Sequence, residues 1–343
     1  MKLTAFFAVL FTALVLLVGA ESSTVKLETL DPSIHTLIDS NAQLEKLATG
    51  FKWTEGPVWI SAGYLLFAEI PSNSIRKWMP GAGVSIFLQP SGYKGSAPYG
   101  GPESGSNGMT LDKRGRLTVA GHAQRDVWRL ESLNPDGQVT VLADHYDGKK
   151  LNSPNDLVYK SDGALYFTDP PYGLRTQSDS DPEKELKVNG VYRLANAASR
   201  APGSAPDNGK LKLLVSDLPR PNGIAFSPDE KTLYVNDSQK KIWMRYTVEA
   251  DGSIANGKLL GDASADTRDG APDGMKVDTR GNLYSTGPGG IWIFSPKGEH
   301  IGTIDMPEKA GNLAWGDKDY KTLYIVASSS IYRVRMKVAG IKP

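Results

Sequence analysis

The sequence predicts an all-β protein: a six-bladed β-propeller with four-stranded blades, closed by pairing of its N- and C-terminal segments in one blade. One pattern occurs six times: a carboxylate or carboxamide residue, a short apolar strand, a polar turn and a second strand that often begins Leu-Tyr. These six residues are 39 to 67 positions apart, mostly the length of a propeller blade. No segment has convincing helical periodicity. The six residues, called the anchors below, are Glu55, Asn107, Asn155, Asn222, Asp273 and Asn312.

Each unit can be divided into short strands separated by turn residues. In the second unit these strands read GMTLD, RLTVAG, DVWRLE and QVTVLAD. The third unit is the longest, and its two polar runs at 175–190 and 195–210 predict an insertion. The last unit has only three strands before the chain ends, so we expect residues 43–51 to supply its fourth strand and close the ring.

The N-terminus reads MKLTAFFAVLFTALVLLVGA, with one lysine ahead of a long apolar run. This pattern predicts a cleaved export signal over residues 1–20 and a periplasmic or secreted protein. The alternative is an uncleaved membrane anchor, because the run approaches the length that spans a bilayer. We expect residues 21–42 to be an N-terminal lead-in and residues 43–343 to be a single propeller domain, with no membrane contact after cleavage.

Composition excludes several classes of function. The 39 Lys and Arg residues nearly balance the 38 Asp and Glu residues, so nothing indicates a nucleic-acid partner or an anionic membrane surface. The chain has no cysteine, which excludes disulfides, thiolate metal sites and thiol catalysis. The oligomeric state does not follow from the sequence.

The anchors predict a cation site. Each follows an outer strand and precedes the next inner strand, so all six should surround one mouth of the central channel. Carboxylate and amide oxygens suit Ca²⁺ or Mg²⁺. Asn-Gly and Asp-Gly are also common turn formers, so any single anchor could be a turn residue. Glu55 and Asp273 argue for the cation, because two acids beside a closed channel repel each other unless positive charge separates them.

The second strand of each unit returns to the same mouth, so the residues at its end should also line it. We expect this second tier to contribute three acids and one imidazole, namely Glu69, Asp169, Asp237 and His122.

Four stretches of the sequence resemble the SMP-30/gluconolactonase/lactonase-like family of six-bladed propellers. The resemblance covers nearly all of residues 53–334, with motifs in the same order in five of the six units. Around His122 the chain is similar to bacterial gluconolactonases, although it reads Gly-His-Ala-Gln where they have Glu-His-Gly-Asn. Ser153 stands where mammalian members have an arginine for sugar hydroxyls. The four stretches are TEGPVW, LNSPNDLVYKSDGALYFTDPPYGL, RPNGIAFSPDEKTLYVNDS and APDGMKVDTRGNLY.

The resemblance implies a lactone hydrolase with a divalent cation, usually Ca²⁺, at the mouth of the channel. It places the metal ligands on Glu55, Asn222 and Asp273, with Asn155 as a further ligand or as a residue that holds water and substrate. It also makes Asp273 the residue that transfers a proton.

We therefore predict hydrolysis of a gluconolactone-type sugar lactone to the aldonic acid, with Asp273 as general base. Asn107 and Asn155 would orient the lactone hydroxyls. Arg125 and Tyr172 are candidate substrate contacts, and His122 could bind the lactone or its leaving oxygen, or could cap a strand end. Two alternatives stay open: a binding scaffold with a structural cation, and a metal-dependent esterase or phosphotriesterase.

Overall fold

The computed structural model describes residues 21–343, so the predicted export signal at residues 1–20 lies outside the described part. Over that range no helix has the length and apolar character needed to cross a membrane. Nearly all regular structure is β-strand. The helical segments of the described chain are short 3-10 helices at Pro32–Thr36, Ile70–Ser72, His122–Gln124, Ala197–Ser199 and Asn208–Lys210.

Six antiparallel sheets form a ring, which confirms the predicted six-bladed propeller. In each blade the first strand lies innermost and follows its anchor closely or contains it. Blade 1 contains β4 (Thr54–Ile60), β5 (Tyr64–Glu69), β6 (Ser74–Met79) and β7 (Gly83–Leu88); blade 2 contains β8 (Met109–Leu111), β9 (Leu117–Gly121), β10 (Asp126–Leu130) and β11 (Val139–Ala143).

The remaining blades follow the same plan. Blade 3 contains β14 (Leu157–Tyr159), β15 (Leu165–Asp169), β16 (Gly190–Leu194) and β17 (Leu211–Val215); blade 4 contains β18 (Pro221–Phe226), β19 (Thr232–Asp237), β20 (Ile242–Val248) and β21 (Ile254–Asp262); blade 5 contains β22 (Met275–Val277), β23 (Leu283–Gly287), β24 (Gly290–Phe294) and β25 (His300–Asp305); blade 6 contains β26 (Ala310–Gly316), β27 (Thr322–Ala327) and β28 (Ser330–Arg335).

The N-terminal segment completes blade 6. Strand β3 (Gln43–Thr49) pairs antiparallel with β28, as predicted, and the ring closes without a disulfide. The lead-in before it is also structured. Strand β1 (Glu21–Thr24) adds a fifth strand to blade 6 by pairing with β3, and β2 (Leu27–Thr29) adds a fifth strand to blade 5 by pairing with β25. One short segment therefore covers the outer edges of two neighbouring blades.

The apolar core lies between the blades. Successive side chains of a strand point to opposite faces of its sheet, so each blade packs against both neighbours. Val58 and Leu66 of blade 1 share a buried cluster with Val119 of blade 2. Ile224 and Val235 of blade 4 pack against residues of blade 3 in the same way. The ring is therefore held by interfaces between adjacent blades.

Three long connections lie on the face where the inner strands begin, called the upper face below. The first spans residues 89–108, between β7 and β8. The second, residues 144–156, contains a hairpin of β12 (His145–Tyr146) and β13 (Lys149–Lys150). The third spans residues 170–189, between β15 and β16. The third, together with residues 195–210 on the opposite, lower face, is the predicted insertion; the loop over 89–108 was not predicted.

Candidate active site at the upper mouth of the channel

The six anchors form a closed ring around the upper end of the channel, as the sequence predicts. Each blade contacts the next blade through backbone or buried polar atoms at or beside the anchors. The six anchors therefore adjoin one another around the upper end of the channel. The contacts, in order around the ring, are Gly56 against Asn107, Gly108 N–H to Asn155 O (2.7 Å), Thr168 Oγ1 to Asn222 O (2.7 Å), Asn236 Nδ2 to Asp273 O (2.6 Å), Gly274 N–H to Gly311 O (2.8 Å) and Gly311 against Glu55.

Glu55 is held in the ring by its neighbours. Glu55 is only 2% exposed, and its Oε2 accepts a hydrogen bond from the Gly56 N–H at 3.1 Å. Asn312 Oδ1 accepts the Leu313 N–H at 2.8 Å. The amide nitrogen of Asn312 is therefore free to donate to the Glu55 carboxylate, which opposes the burial that raises the pKa of Glu55. Asn312 thus presents a donor to the site, and it is not among the ligands that the family resemblance implies.

Two anchor amides point an unpaired oxygen into buried space. Asn222 Nδ2 donates to Ser238 Oγ at 2.9 Å, and Ser238 Oγ donates in turn to Pro272 O at 2.6 Å. These bonds fix the amide nitrogen of Asn222 and leave its Oδ1 without a donor. Asn107 Oδ1 is also buried without a partner. A buried oxygen without a donor costs about 1 to 3 kcal/mol, so both atoms indicate a missing electropositive group.

A third carboxylate, Asp156, lies in the same channel and was missed in the sequence. Its Oδ1 accepts the Leu157 N–H at 2.9 Å, but its Oδ2 is buried without a donor. Asp156 follows an anchor directly, at a position where four other blades have glycine. That departure from the repeat was the available signal.

The acids of the ring all resist ionisation. The pKa of Glu55 is raised to about 8, chiefly by burial and further by the negative charge of Asp156. Burial and then the charge of Glu55 raise the pKa of Asp273 well above its ordinary value. Burial likewise raises the pKa of Asp156. Positive charge in this space would favour the ionised forms of all three carboxyls.

The ring supplies enough oxygens for a cation only if the amides take part. Within residues 21–343 no three His, Cys, Asp or Glu side chains form a group that could hold a metal by themselves. The free Oδ1 of Asn222 and the carboxylates of Glu55 and Asp273 are the oxygens best suited to a hard cation. Asn155 lies in the same ring with 3% of its surface exposed. These oxygens belong to the residues that the sequence predicts as metal ligands, so the residues present fit a hard cation.

Two of the second-tier acids do not line the open mouth as expected. Asp169 is fully buried, and its two oxygens accept the N–H groups of Asn152 and Ser153 at 2.8 and 2.7 Å. Asp237 is also fully buried and accepts the Arg220 N–H at 2.6 Å. Ser153 and Arg220 each stand two residues before an anchor, so these acids fix the backbone that delivers Asn155 and Asn222 to the ring.

The third acid of that tier, Glu69, is paired with an arginine side chain. Its Oε2 forms an ion pair with Arg76 at 2.7 Å, and its residue is 6% exposed.

The predicted substrate contacts differ in their access to the site. Tyr172 lies near Asp273, and burial, followed by the negative charge of Asp273, raises the pKa of its phenol. Arg125 is buried, and its Nε donates to the carbonyls of Leu151 and Asn152 at 2.7 and 3.1 Å. It therefore supports the loop before Asn155, and its contact with substrate stays a prediction.

His122 is fully buried, with protein partners on both ring nitrogens. Nδ1 lies 3.2 Å from Pro154 O and Nε2 lies 2.7 Å from Glu103 Oε2. Glu103 was missed in the sequence, because it belongs to the aperiodic loop at residues 89–108. Added to the burial that mainly raises the pKa values of Glu55 and Asp273, the charge of Glu103 raises both slightly further, so this loop contributes a further acid near the mouth.

Known proteins share this fold and these motifs. A family model described as SMP-30/Gluconolactonase/LRE-like region matches residues 53–329. The gluconolactonase of Zymomonas mobilis subsp. mobilis is 41% identical over 326 residues, which cover 92% of this chain and 87% of that protein. The 6-deoxy-6-sulfogluconolactonase of Pseudomonas putida is 30% identical over 122 residues, covering 35% and 42% of the two chains. The solved gluconolactonase of Xanthomonas campestris superimposes with a TM-score of 0.75 at 29% identity, covering 92% and 96% of the two chains.

The propeller fold and the relatives together define an enzyme of the carboxylic ester hydrolase class, one that hydrolyses lactones. The chain belongs to the SMP-30/gluconolactonase family.

Proposed function

We propose that this enzyme hydrolyses a gluconolactone-type sugar lactone to the aldonic acid with the help of a divalent cation, Ca²⁺ before other divalent ions. Glu55, Asn155, Asn222 and Asp273 would hold the cation. The whole-length similarity to a gluconolactonase supports the substrate class. One observation supports the cation. The same ring combines acids with raised pKa values and amide oxygens that lack hydrogen-bond donors.

The cation would polarise the lactone carbonyl and stabilise negative charge on its oxygen. Asp273 is the residue proposed to take a proton from the attacking water. Its backbone is fixed on both sides, because its N–H donates to Thr286 Oγ1 at 2.9 Å and its carbonyl accepts Asn236 Nδ2 at 2.6 Å. A fixed backbone restricts the positions that the carboxylate can take, which supports a role in catalysis.

Sugar recognition would depend on amide and phenol groups of the upper face. Asn107 Oδ1 has no protein donor and can accept a sugar hydroxyl. Tyr172, beside Asp273, can bind a second hydroxyl. Ser153 cannot replace the arginine of mammalian relatives, because its Oγ donates to Pro170 O at 2.5 Å and accepts the Gly173 N–H at 2.8 Å. The proposed site therefore binds its sugar without a cationic side chain at that position.

The place of action is also a proposal. The apolar run at residues 1–20 supports export to the periplasm or the outside of the cell. A sugar lactone would then be hydrolysed outside the cytoplasm.

A substrate panel tests the proposal. The protein is stripped with EDTA and assayed on glucono-δ-lactone, other aldonolactones, aryl esters and a phosphotriester, with and without added Ca²⁺, Mg²⁺ or Zn²⁺. We expect turnover of sugar lactones to be lost on stripping and restored by Ca²⁺. Preference for aryl esters or phosphotriesters, or full lactone turnover in the stripped protein, would contradict it.

A further inference from the structure

The pair formed by Glu103 and His122 is the strongest feature of the upper face that the proposed mechanism does not use. Its carboxylate and imidazole are 2.7 Å apart, and the imidazole is fully buried while the Glu103 side chain is 20% exposed. Glu103 is therefore the member of the pair that can meet a bound molecule. Glu103 also lies close enough to Glu55 and Asp273 to raise the pKa of both.

The partners of His122 fix where its hydrogens lie. The carbonyl oxygen of Pro154 can only accept, so Nδ1 must carry a hydrogen. The short contact between Nε2 and Glu103 then requires one further proton between them. It makes either an imidazolium with a carboxylate or a neutral imidazole with a carboxylic acid. This assignment follows from the partners, and in both forms the pair carries one transferable proton.

The loop at residues 89–108 holds Glu103 in place before any substrate arrives. Asn73 Oδ1 accepts the N–H groups of Ser91 and Gly92 at 3.1 and 2.7 Å, and the Ala123 N–H donates to Gly105 O at 3.2 Å. The tip of the loop is fixed by a hydrogen bond from the Tyr99 hydroxyl to a carbonyl of the third blade. The loop is thus attached to the upper faces of blades 1, 2 and 3.

The Glu103 carboxyl itself has a second fixed contact. Gln177 Nε2 donates to Glu103 Oε1 at 2.9 Å and to Tyr172 O at 3.1 Å. With Gln177 on one oxygen and His122 on the other, the carboxyl is oriented by two protein groups. A preoriented acid of this kind is what a proton transfer needs.

Resting on the lactonase function proposed above, we propose that Glu103 and His122 act as an acid pair that protonates the ring oxygen of the lactone as it leaves. Glu103 would be the catalytic residue that meets this oxygen, and His122 its positioning residue. Opening of an aliphatic lactone releases an alkoxide, a poor leaving group, so an acid separate from Asp273 would let the ring oxygen be protonated while Asp273 still holds the proton taken from water.

The protons balance in this scheme. Water adds to the carbonyl carbon and gives one proton to Asp273. The bond between the carbonyl carbon and the ring oxygen breaks, its electron pair stays on the ring oxygen, and the Glu103–His122 pair supplies the proton that makes the alcohol. Asp273 then loses its proton to solvent while the pair regains one, so the net reaction is lactone plus water giving the hydroxy acid.

Leaving-group dependence tests this role. Glu103→Gln keeps the shape of the side chain but removes its acidity. We expect kcat on glucono-δ-lactone to fall by about 10²-fold or more. On dihydrocoumarin the loss should be below about fivefold, because a phenol ionises near pKa ~10 and leaves without help. His122→Gln should show the same selectivity with a smaller loss.

Gln177→Met is the matched control, because it removes one contact of Glu103 and keeps the acid. If Glu103 only clamps the loop, Glu103→Gln and Gln177→Met should slow both substrates alike, and the acid role is overturned. If the protein does not hydrolyse dihydrocoumarin, the kinetics on glucono-δ-lactone alone distinguish the acid role from the clamping role. A fall in kcat with unchanged thermal midpoint and unchanged Ca²⁺ binding by calorimetry supports the acid, whereas a change in KM alone refutes it. Wild-type protein inactive on every lactone would instead overturn the proposed function.

Discussion

Buried acids at the two ends of the inner strands have opposite surroundings. At the lower end, Asp112 and Asp278 each follow their anchor by five positions, and the Oδ1 of each accepts two backbone N–H groups at 2.9 to 3.0 Å. Their Oδ2 atoms accept side-chain donors as well. At the upper end, Asp156 Oδ2 and Asn222 Oδ1 have no donor. The acids at the lower end accept hydrogen bonds from their own hairpins on both oxygens. The oxygens at the upper end lack a donor and are free to bind a ligand.

The channel shows the same contrast along its axis. Its lower part contains a cavity of about 270 Å³ whose lining includes Val58, Leu157 and Ile224. Its upper part contains the acids and amides of the ring. The same six inner strands line both parts of the channel. Only a few residues along each strand therefore separate the apolar lower part from the proposed catalytic site.

The largest effect should come from Asp273→Asn at the upper end of β22. Loss of the proposed general base should reduce lactone turnover by about 10²- to 10⁴-fold while the propeller stays folded. Steady-state kinetics with Ca²⁺ present, together with circular dichroism, measures both. A variant that retained Ca²⁺ binding and full turnover would remove Asp273 from the mechanism.

Asp278→Asn is the matched control, five residues further along the same chain. Asp278 accepts four hydrogen bonds in its turn, from Arg280 N–H, Asn282 N–H, Asn282 Nδ2 and Tyr284 OH. Placing an amide there should lower the free energy of unfolding by about 1 to 3 kcal/mol and leave kcat unchanged. A selective loss of kcat would break the contrast between the two ends.

Asp126 gives a smaller, pH-dependent effect at the upper face. Burial raises its pKa from 3.8 to about 7, against the opposing charges of Lys94 and Lys150 and with a small contribution from Asp144. Its Oδ1 has no donor. Between pH ~4 and ~7 the folded state keeps a proton that the unfolded state releases, so this group lowers the free energy of unfolding as pH rises through that range.

Asp126→Asn should remove that contribution. Relative to wild type, we expect the variant to gain at most about 3 kcal/mol of unfolding free energy between pH 5 and pH 8, at about 1.4 kcal/mol per pKa unit. Urea unfolding in EDTA at both pH values measures the difference. Parallel pH dependence of the two proteins would show that Asp126 is ionised in the fold.

The ring and its blades could be predicted because they repeat. The anchors recur at blade spacing, and strands such as β10 (Asp126–Leu130) were predicted to within one residue of their observed bounds. The added strands β1 and β2 could not be predicted in the same way, because they extend sheet edges outside the repeat. Their place depends on which edge is free once the ring has formed.

The residues of the upper ring could be predicted in part, for a related reason. Glu55, Asn222 and Asp273 stand out as members of the repeat, and the structure brings them into one ring. Asp156 was missed because the repeat draws attention to the anchor and away from its neighbour. Glu103 was missed because its loop has no period, and only the fold places it beside His122 and the mouth. Asp169 was assigned to the mouth because its place in the strand is visible in the sequence but its two backbone donors are not.

The central claim is that the free oxygens of the upper ring bind a divalent cation that lactone hydrolysis requires. Isothermal titration of Ca²⁺ into EDTA-stripped, dialysed protein, alongside Glu55→Gln, tests it most directly. We predict one saturable site in the wild-type ring, a loss of affinity of about 10²-fold or more in the variant, since it removes a charged ligand, and recovery of lactone turnover in step with binding. Absence of binding to the wild type, or equal binding by both proteins, would contradict the claim.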